Sequence, residues 1–332
     1  MKKKRLLAVL FILLIVLVVA SITVGSASLK SSEAVRLIWL KIIGVNIDSI
    51  YEKIIFNIRL PRIILAALVG AGLGVSGAAF QGIFKNPMAD PYVLGVSSGA
   101  AVGATISIVF KLENYGVFFT TILAFLGAFI SLILVYNIAK VGKKLPTTTL
   151  LLAGVAINFL FSSVISLSMI LHREAMERII YWTMGSFNEA SYSQILIVAP
   201  VVIIISISFQ LLYRQFNILA SGDEGAYSLG VEVDKLKKLI ILVSSIMIAV
   251  VVSVSGIIGF IGLIIPHIAR LIVGANHREL FPFSFVLGAI FSLGCDTLAR
   301  ILLSPTELPV GAITSLFGAP FFIYLLWKRK RA

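Results

Sequence analysis

The chain has 332 residues, 59% hydrophobic and 13% charged, with a mean hydropathy of +1.06; that is about half the charge of a soluble domain and excludes an ordinary globular protein. A formal net charge of +13 does not mark nucleic-acid binding, because the basic residues lie between apolar runs and at both ends, with no basic face interleaved with aromatics. One cysteine, Cys295, and three scattered histidines, His172, His267 and His277, supply neither a disulfide within the chain nor metal-ligand spacing.

A spanning helix takes about 20 residues. Apolar runs bounded by charge, Gly or Pro predict ten of them, near residues 6–26, 61–82, 93–110, 117–139, 149–171, 194–213, 239–255, 258–274, 282–300 and 308–327. The expected fold is all-α and polytopic, one transmembrane domain over residues 1–332 with no room for a large soluble domain. The first run is long enough to span. Followed by Gly25, Ser26, Ala27 and Ser28, it also has the make-up of a cleaved signal peptide, which would leave nine helices. With ten, both termini share a side; placing them in the cytoplasm puts 18 of the 28 Lys and Arg inside and 10 outside, as the positive-inside rule requires.

Val75-Ser76-Gly77, Pro87 and Gly95 recur with identical spacing as Val254-Ser255-Gly256, Pro266 and Gly274. The two stretches begin in helices of opposite direction, so a genuine repeat is inverted, as in many transporters. Gly70 and Gly74, and then Gly95, Gly99 and Gly103, predict helix faces on which neighbouring backbones approach closely. Between them, Asn86-Pro87 and Asp90-Pro91 interrupt helical hydrogen bonding at a membrane boundary. That segment reads either as a cytoplasmic turn or as a re-entrant stretch lining a pathway.

The longest inner loop, 214–238, contains Ser221-Gly222-Asp223-Glu224, the spacing of a capping box, and Leu229-Gly230, with glycine where a left-handed cap belongs. A short cytoplasmic helix is expected, either a docking element or a plain connector. On the outer side, Arg59-Leu60-Pro61-Arg62 opens the second helix, and Arg300 closes the ninth, with Asp296 four residues earlier on the same face. Arginines at an outer rim either snorkel or dock an acidic partner through bidentate carboxylate pairing.

No GxxxxGK[ST] motif occurs, so the chain lacks a phosphate-cradling P-loop. A proton-coupled transporter buries carboxylates in its helices, and Asp296 alone comes close. Neither HExxH nor a nucleophile triad is present, which disfavours an intramembrane enzyme. An ion-coupled secondary transporter with an inverted repeat remains the competing class, distinguished by whether an ATPase subunit accompanies the chain.

The segments Arg59–Arg62, Val75–Gln81, Asn86–Pro91, Leu94–Ala100, Leu150–Gly154, Trp182–Ser186, Gly259–Arg270, Glu307–Gly311 and Gly318–Phe322 closely resemble the FecCD family of ABC-importer permeases, which carry iron-siderophores, haem or cobalamin. The resemblance runs in order from about Arg59 to Trp327; the first helix matches only in kind. It implies a ten-helix plasma-membrane subunit that forms a homodimer around a central pathway. Two cytoplasmic ATPase subunits, which bind ATP and Mg, and one extracytoplasmic binding protein complete the importer. The chain itself is expected to need no cofactor and, lipid apart, to bind no nucleic acid or metal. By the same resemblance Arg59, Arg62 and Arg300 meet acidic residues of the binding protein. The coupling helix corresponds to Ser221, Gly222, Asp223, Glu224, Gly225, Ala226, Leu229 and Gly230, and a cytoplasmic gate to Asn86, Met88, Thr147 and Thr148. Met88 stands where leucine is usual, a near volume-conserving change. His267 lies inside the general family motif and is read as structural. An iron complex is the expected cargo on family breadth, with specificity residing largely in the binding protein.

Overall fold

The computed structural model describes residues 2–24, 31–43, 49–142 and 145–329. The stretch Gly25 to Ser28 of the signal-peptide reading therefore lies outside the described residues, as do four of the basic residues counted on the inner side, Lys143, Lys144, Lys330 and Arg331. In chain order the helices are α1 Lys2–Thr23, α2 Ser31–Ile42, α3 Ile50–Lys53, α4 Leu60–Ile83, α5 Val96–Val109, α6 Val117–Ala139, α7 Thr147–Leu171 and α8 Met176–Thr183. They continue as α9 Tyr192–Leu211, α10 Tyr213–Ala220, α11 Asp223–Ser228, α12 Val233–Ser255, α13 Ile261–Val273, α14 His277–Ile301 and α15 Val310–Arg329.

Among the described residues, seven helical segments are long and apolar enough to cross a membrane: α1, α3 through α4, α6, α7, α9, α12 and α14. Three shorter apolar helices, Val96–Val109, Ile261–Val273 and Val310–Tyr324, fall on the other expected runs. The elements the sequence pattern did not single out are short and half-polar, α2 and α8 among them, and occupy connections. Between α3 and α4 the backbone passes through a π-helical stretch, Ile54–Arg59, in which the Leu60 N–H reaches the Ile55 carbonyl. Pro61, at the start of α4, has no N–H to offer the ordinary register, and the wider turn absorbs the change.

Helix α4 is the axis of the fold. Every residue from Val69 to Ile83 is buried, and α9, α12, α13 and α14 pack around it. The glycines explain how: a Cβ on Gly70 would lie 2.2 Å from the Gly288 carbonyl oxygen, and one on Gly288 would lie 2.2 Å from the Gly70 oxygen. Helices α4 and α14 thus touch backbone to backbone, the contact that small residues permit. Gly99 and Gly103 do the same for α5 against α6. Gly95 departs from the expected stripe, since it precedes α5 in a left-handed conformation, φ +75°.

The spaced repeat is not carried residue by residue. Gly77 lies inside α4, in its C-terminal third, whereas Gly256 ends α12; Gly95 begins α5, whereas Gly274 ends α13. Equal spacing in sequence therefore falls at unequal places in the helices.

Candidate functional site

Two polar clusters occupy opposite ends of the bundle. The first lies at the end that holds the start of α1, where Lys3 donates to the Val273 carbonyl and pairs with Glu279. Here α10 and α11 form the connection expected between α9 and α12. The helix α11 ends in a Schellman motif: the Gly230 N–H donates to the Tyr227 carbonyl at 3.0 Å and the Val231 N–H to the Ala226 carbonyl at 3.0 Å, with Gly230 at φ +78°. The expected capping box does not form. Gly222 is the N-cap, at φ +118°, and the Ser221 hydroxyl turns back to the Ile218 carbonyl at 2.7 Å. Glycine has no side-chain oxygen for the helix N-terminus, so Asp223 and Glu224 in the first turn favour it through the helix dipole instead.

Asp223 does more than start α11. Its carboxylate accepts from Lys237 of α12 at 2.6 Å and from Lys85, just beyond α4, also at 2.6 Å. Partial burial pushes its carboxyl up, but the Lys237 and Lys85 ammonium groups outweigh that and hold it below the usual carboxylate range. Tyr227 adds a second tie to α12 through its hydroxyl, which donates to Asp234 at 2.6 Å. Ala226 is buried, while Glu224, Leu229 and Gly230 are exposed, so the helix presents a free outer face.

Lys85 itself adopts φ +49° and leads into the Asn-Pro segment. The Asn86 side chain accepts from the Met88 N–H at 2.9 Å and the Asp90 side chain from the Tyr92 N–H at 2.8 Å; these Asx turns replace the hydrogen bonds that Pro87 and Pro91 cannot make. Burial pushes the Asp90 carboxyl up against the opposing pull of that hydrogen bond. Of the four gate candidates, Asn86, Met88 and Thr148 are exposed and Thr147 is half-buried at the start of α7. No hydrogen bond among the described residues joins the two pairs within one chain.

The second cluster, at the other end, differs from the exposed rim the sequence suggested. Arg59, Arg62 and Arg300 are only 5%, 5% and 3% exposed, and Asp296 is fully buried. Arg62 lies between two carboxylates, 2.8 Å from Asp296 and 2.7 Å from Glu307. The expected pair of Arg300 with Asp296 is present as an ion pair at 3.2 Å. Arg300 also donates to the carbonyls of Ser21 and Val24, and Arg59 to that of Ile22. The last turn of α1 leaves carbonyls without helical partners, and these guanidinium groups satisfy them. Glu307 and the end of α1 are members of this cluster that sequence reasoning did not assign.

Beside it, backbone rather than side chains joins two family segments, Trp182–Ser186 and Glu307–Gly311, and the end of α12. The Ser186 N–H donates to the Ser255 carbonyl, Val310 to Gly185 and Gly311 to Met184, at 2.8 to 3.0 Å. Such non-helical backbone is tolerated at membrane depth only where protein or a water-filled path satisfies it. Among the described residues no three His, Cys, Asp or Glu side chains converge as metal ligands.

The model of the FecCD transport family matches residues 13–328. Relatives include the cobalamin import system permease protein BtuC of Halobacterium salinarum, 46% identical over 279 residues, or 84% of this chain and 74% of that one. The hemin transport system permease protein HmuU of Yersinia pestis is 39% identical over 331 residues, 98% and 96% of the two chains. The molybdate import system permease protein MolB of Haemophilus influenzae is 38% identical over 325 residues, 97% and 95%. A solved structure of a metal-chelate type ABC transporter in an inward-facing conformation matches with a TM-score of 0.85 and 34% identity, over 98% of this chain and 99% of that one. With a family model and a solved structure that each match nearly the whole length, the chain belongs to the FecCD transport family.

Proposed function

We propose that this chain is the membrane-spanning permease of an ABC importer, acting as a homodimer of ten-helix subunits, with both termini cytoplasmic. Two separate ATPase subunits bind ATP and Mg on the cytoplasmic side, and an extracytoplasmic binding protein delivers cargo. The observation that carries this reading is the family match over residues 13–328. The element order supports an inverted repeat: α4 to α6 and α12 to α14 each run long, short, long.

In this reading the ATPase receives α11, whose small residues Gly225 and Ala226 keep it slender and whose exposed Leu229 offers an apolar contact. Movement of α11 passes through Asp223 to Lys85 and so to the Asn-Pro segment. Asn86 and Met88 with Thr147 and Thr148 then form the cytoplasmic gate, facing their counterparts across the dimer axis. At the outer end, acidic residues of the binding protein compete with Asp296 and Glu307 for Arg62, with Asp296 for Arg300 and with the Ile22 carbonyl for Arg59; burial makes this an exchange of partners rather than a simple surface contact.

The cargo is a metal complex. Iron chelates are favoured on the breadth of the family. The names of relatives extend from hemin, cobalamin and Fe(3+)-citrate to molybdate, a wider span than bulky chelates alone. The test is to purify the tagged chain in mild detergent from its native membranes and measure vanadate-sensitive ATPase activity with the stoichiometry of co-purifying subunits. Two permease and two ATPase copies with activity are expected. Permease alone, from preparations that preserve other membrane complexes, would overturn ATP coupling in favour of ion-driven transport.

A further inference from the structure

A cavity of about 370 Å³ opens at the end of the bundle that holds the arginine cluster, between α8, Glu113 of the α5–α6 connection and residues 186–189. Helix α8 turns Arg178, Tyr181 and Trp182 toward it, a spacing that shares one face, while Ile179 is buried in the core. Arg178 forms an ion pair with Glu113, so these two lining charges match each other. Glu189 also lines the cavity, and among the described residues nothing pairs with its carboxylate. Partial burial pushes that carboxyl up with no cation opposing the shift. The Asn188 side-chain amide and the Tyr181 hydroxyl, in the same lining, are likewise without partners among the described residues.

An unmatched carboxylate, an amide oxygen, a phenol hydroxyl and the two rings of Tyr181 and Trp182 complement an organic cation with N–H donors. The volume is at the small end of the roughly 300 to 1,000 Å³ of ligand sites, which suits one side chain rather than a bulky chelate. Cavity and arginine cluster share a face. Ser186 lines the cavity, its neighbour Gly185 accepts from the Val310 N–H at 2.9 Å, and Glu307, the partner of Arg62, lies three residues before Val310. That path keeps Glu307 within about 20 Å of Ser186. A partner surface of about 800 Å², usual for a stable complex, is about 30 Å across and covers both. We infer that this cavity receives a basic side chain, arginine or lysine, of the extracytoplasmic binding protein, a contact opposite in sign to those at the arginine cluster. The inference rests on the binding-protein reading above. Points of opposite sign on one face fix the register of the partner, since a rotated one would meet like charges.

For the test, the binding protein is recovered from native cells on the tagged complex, purified, and titrated onto the intact complex in mild detergent, with affinity read by biolayer interferometry. Glu189→Gln, nearly isosteric at an exposed position, is expected to weaken binding by about ten-fold, the lower end for a hydrogen bond to a charged group. Glu177→Gln, exposed on α8 but outside the cavity lining, should leave affinity within about two-fold. Unchanged affinity in Glu189→Gln, or an equal loss in both variants, would overturn the inference and leave the importer reading intact; a wild-type complex to which no binding protein binds would overturn both. A second readout uses Trp182, one of three tryptophans, made the sole reporter by Trp39→Phe and Trp327→Phe. N-acetyl-arginine amide is expected to change its fluorescence, and Glu189→Gln to remove the response. A response to this probe with binding-protein affinity indifferent to Glu189 would assign the cavity to a free small cation and overturn the inference.

Discussion

The Lys85 to Asp223 contact is the one side-chain ion pair in the described structure that ties α11 to the Asn-Pro segment, and Lys85→Gln removes it while leaving Asp223 bonded to Lys237. Its side chains are 35% and 45% exposed, so the pair contributes about 0.2 to 1 kcal/mol after screening. A contact of that size can bias a two-state gate by no more than its own free energy, about 1.4- to 5-fold. In proteoliposomes with the ATPase and binding protein, Lys85→Gln is expected to lower cargo uptake per ATP hydrolysed within that range, with basal ATPase activity and subunit assembly unchanged. Asp223→Asn breaks both contacts and should reduce uptake further. The pH dependence has a definite sign: Asp223 is held below its ordinary value of 3.8, so its contribution is complete above that value and fades as pH falls through the lower folded-state value. Uptake per ATP therefore owes no slope to this link between about pH 5 and 8. An unchanged ratio in Lys85→Gln would refute the transmission path, and a loss beyond about ten-fold would show that Lys85 acts by some means other than this pair.

In the buried arginine cluster, Asp296→Asn leaves Arg62 and Arg300 without their shared carboxylate. Breaking a buried pair costs about 3 to 5 kcal/mol, and the lower part of that range is expected because Arg62 keeps Glu307 and Arg300 keeps the α1 carbonyls; a thermal unfolding midpoint in detergent equal to that of wild type would contradict this. Arg62→Lys retains charge but cannot bridge Asp296 and Glu307 as a planar fork does, so binding-protein affinity should fall while ATPase co-purification persists, both read in one pull-down. Charge reversal at Arg62 would crowd three carboxylates into a buried site. Within α14, Gly288→Ala places a Cβ 2.2 Å from the Gly70 oxygen and should abolish stable protein, whereas Gly294→Ala meets nothing within 4 Å and should be neutral or stabilising by about 0.5 to 1 kcal/mol, as fluorescence-detected size exclusion of the two variants would report.

Local signals were legible because local physics produces them. Apolar runs placed the helices, four-residue glycine spacing marked the close contacts of Gly70, Gly99 and Gly103, and Leu229-Gly230 announced the Schellman end of α11, since a left-handed cap depends on a few adjacent residues. Where a glycine occupied the decisive place, at Gly222, the expected serine cap failed because the chain turned one residue later than the motif assumed. The family segments identified the transport family without any contact being known.

What joins distant residues had no such signature. Arg62 meets Asp296 and Glu307 across 234 and 245 residues, and Lys85 meets Asp223 across 138; in sequence each is merely a charge at a helix end. Burial order was also hidden. The α1 window has hydropathy 3.2 and is 11% buried, whereas the segment Ile50–Ile83 has hydropathy 2.1 and is 83% buried. Hydropathy determined which segments enter the membrane, but lipid tails are as apolar as leucine and do not drive helices together. Only the tertiary structure decided which helix became the axis, by letting the small residues of α4 accept neighbouring backbones that the bulky side chains of α1 keep away.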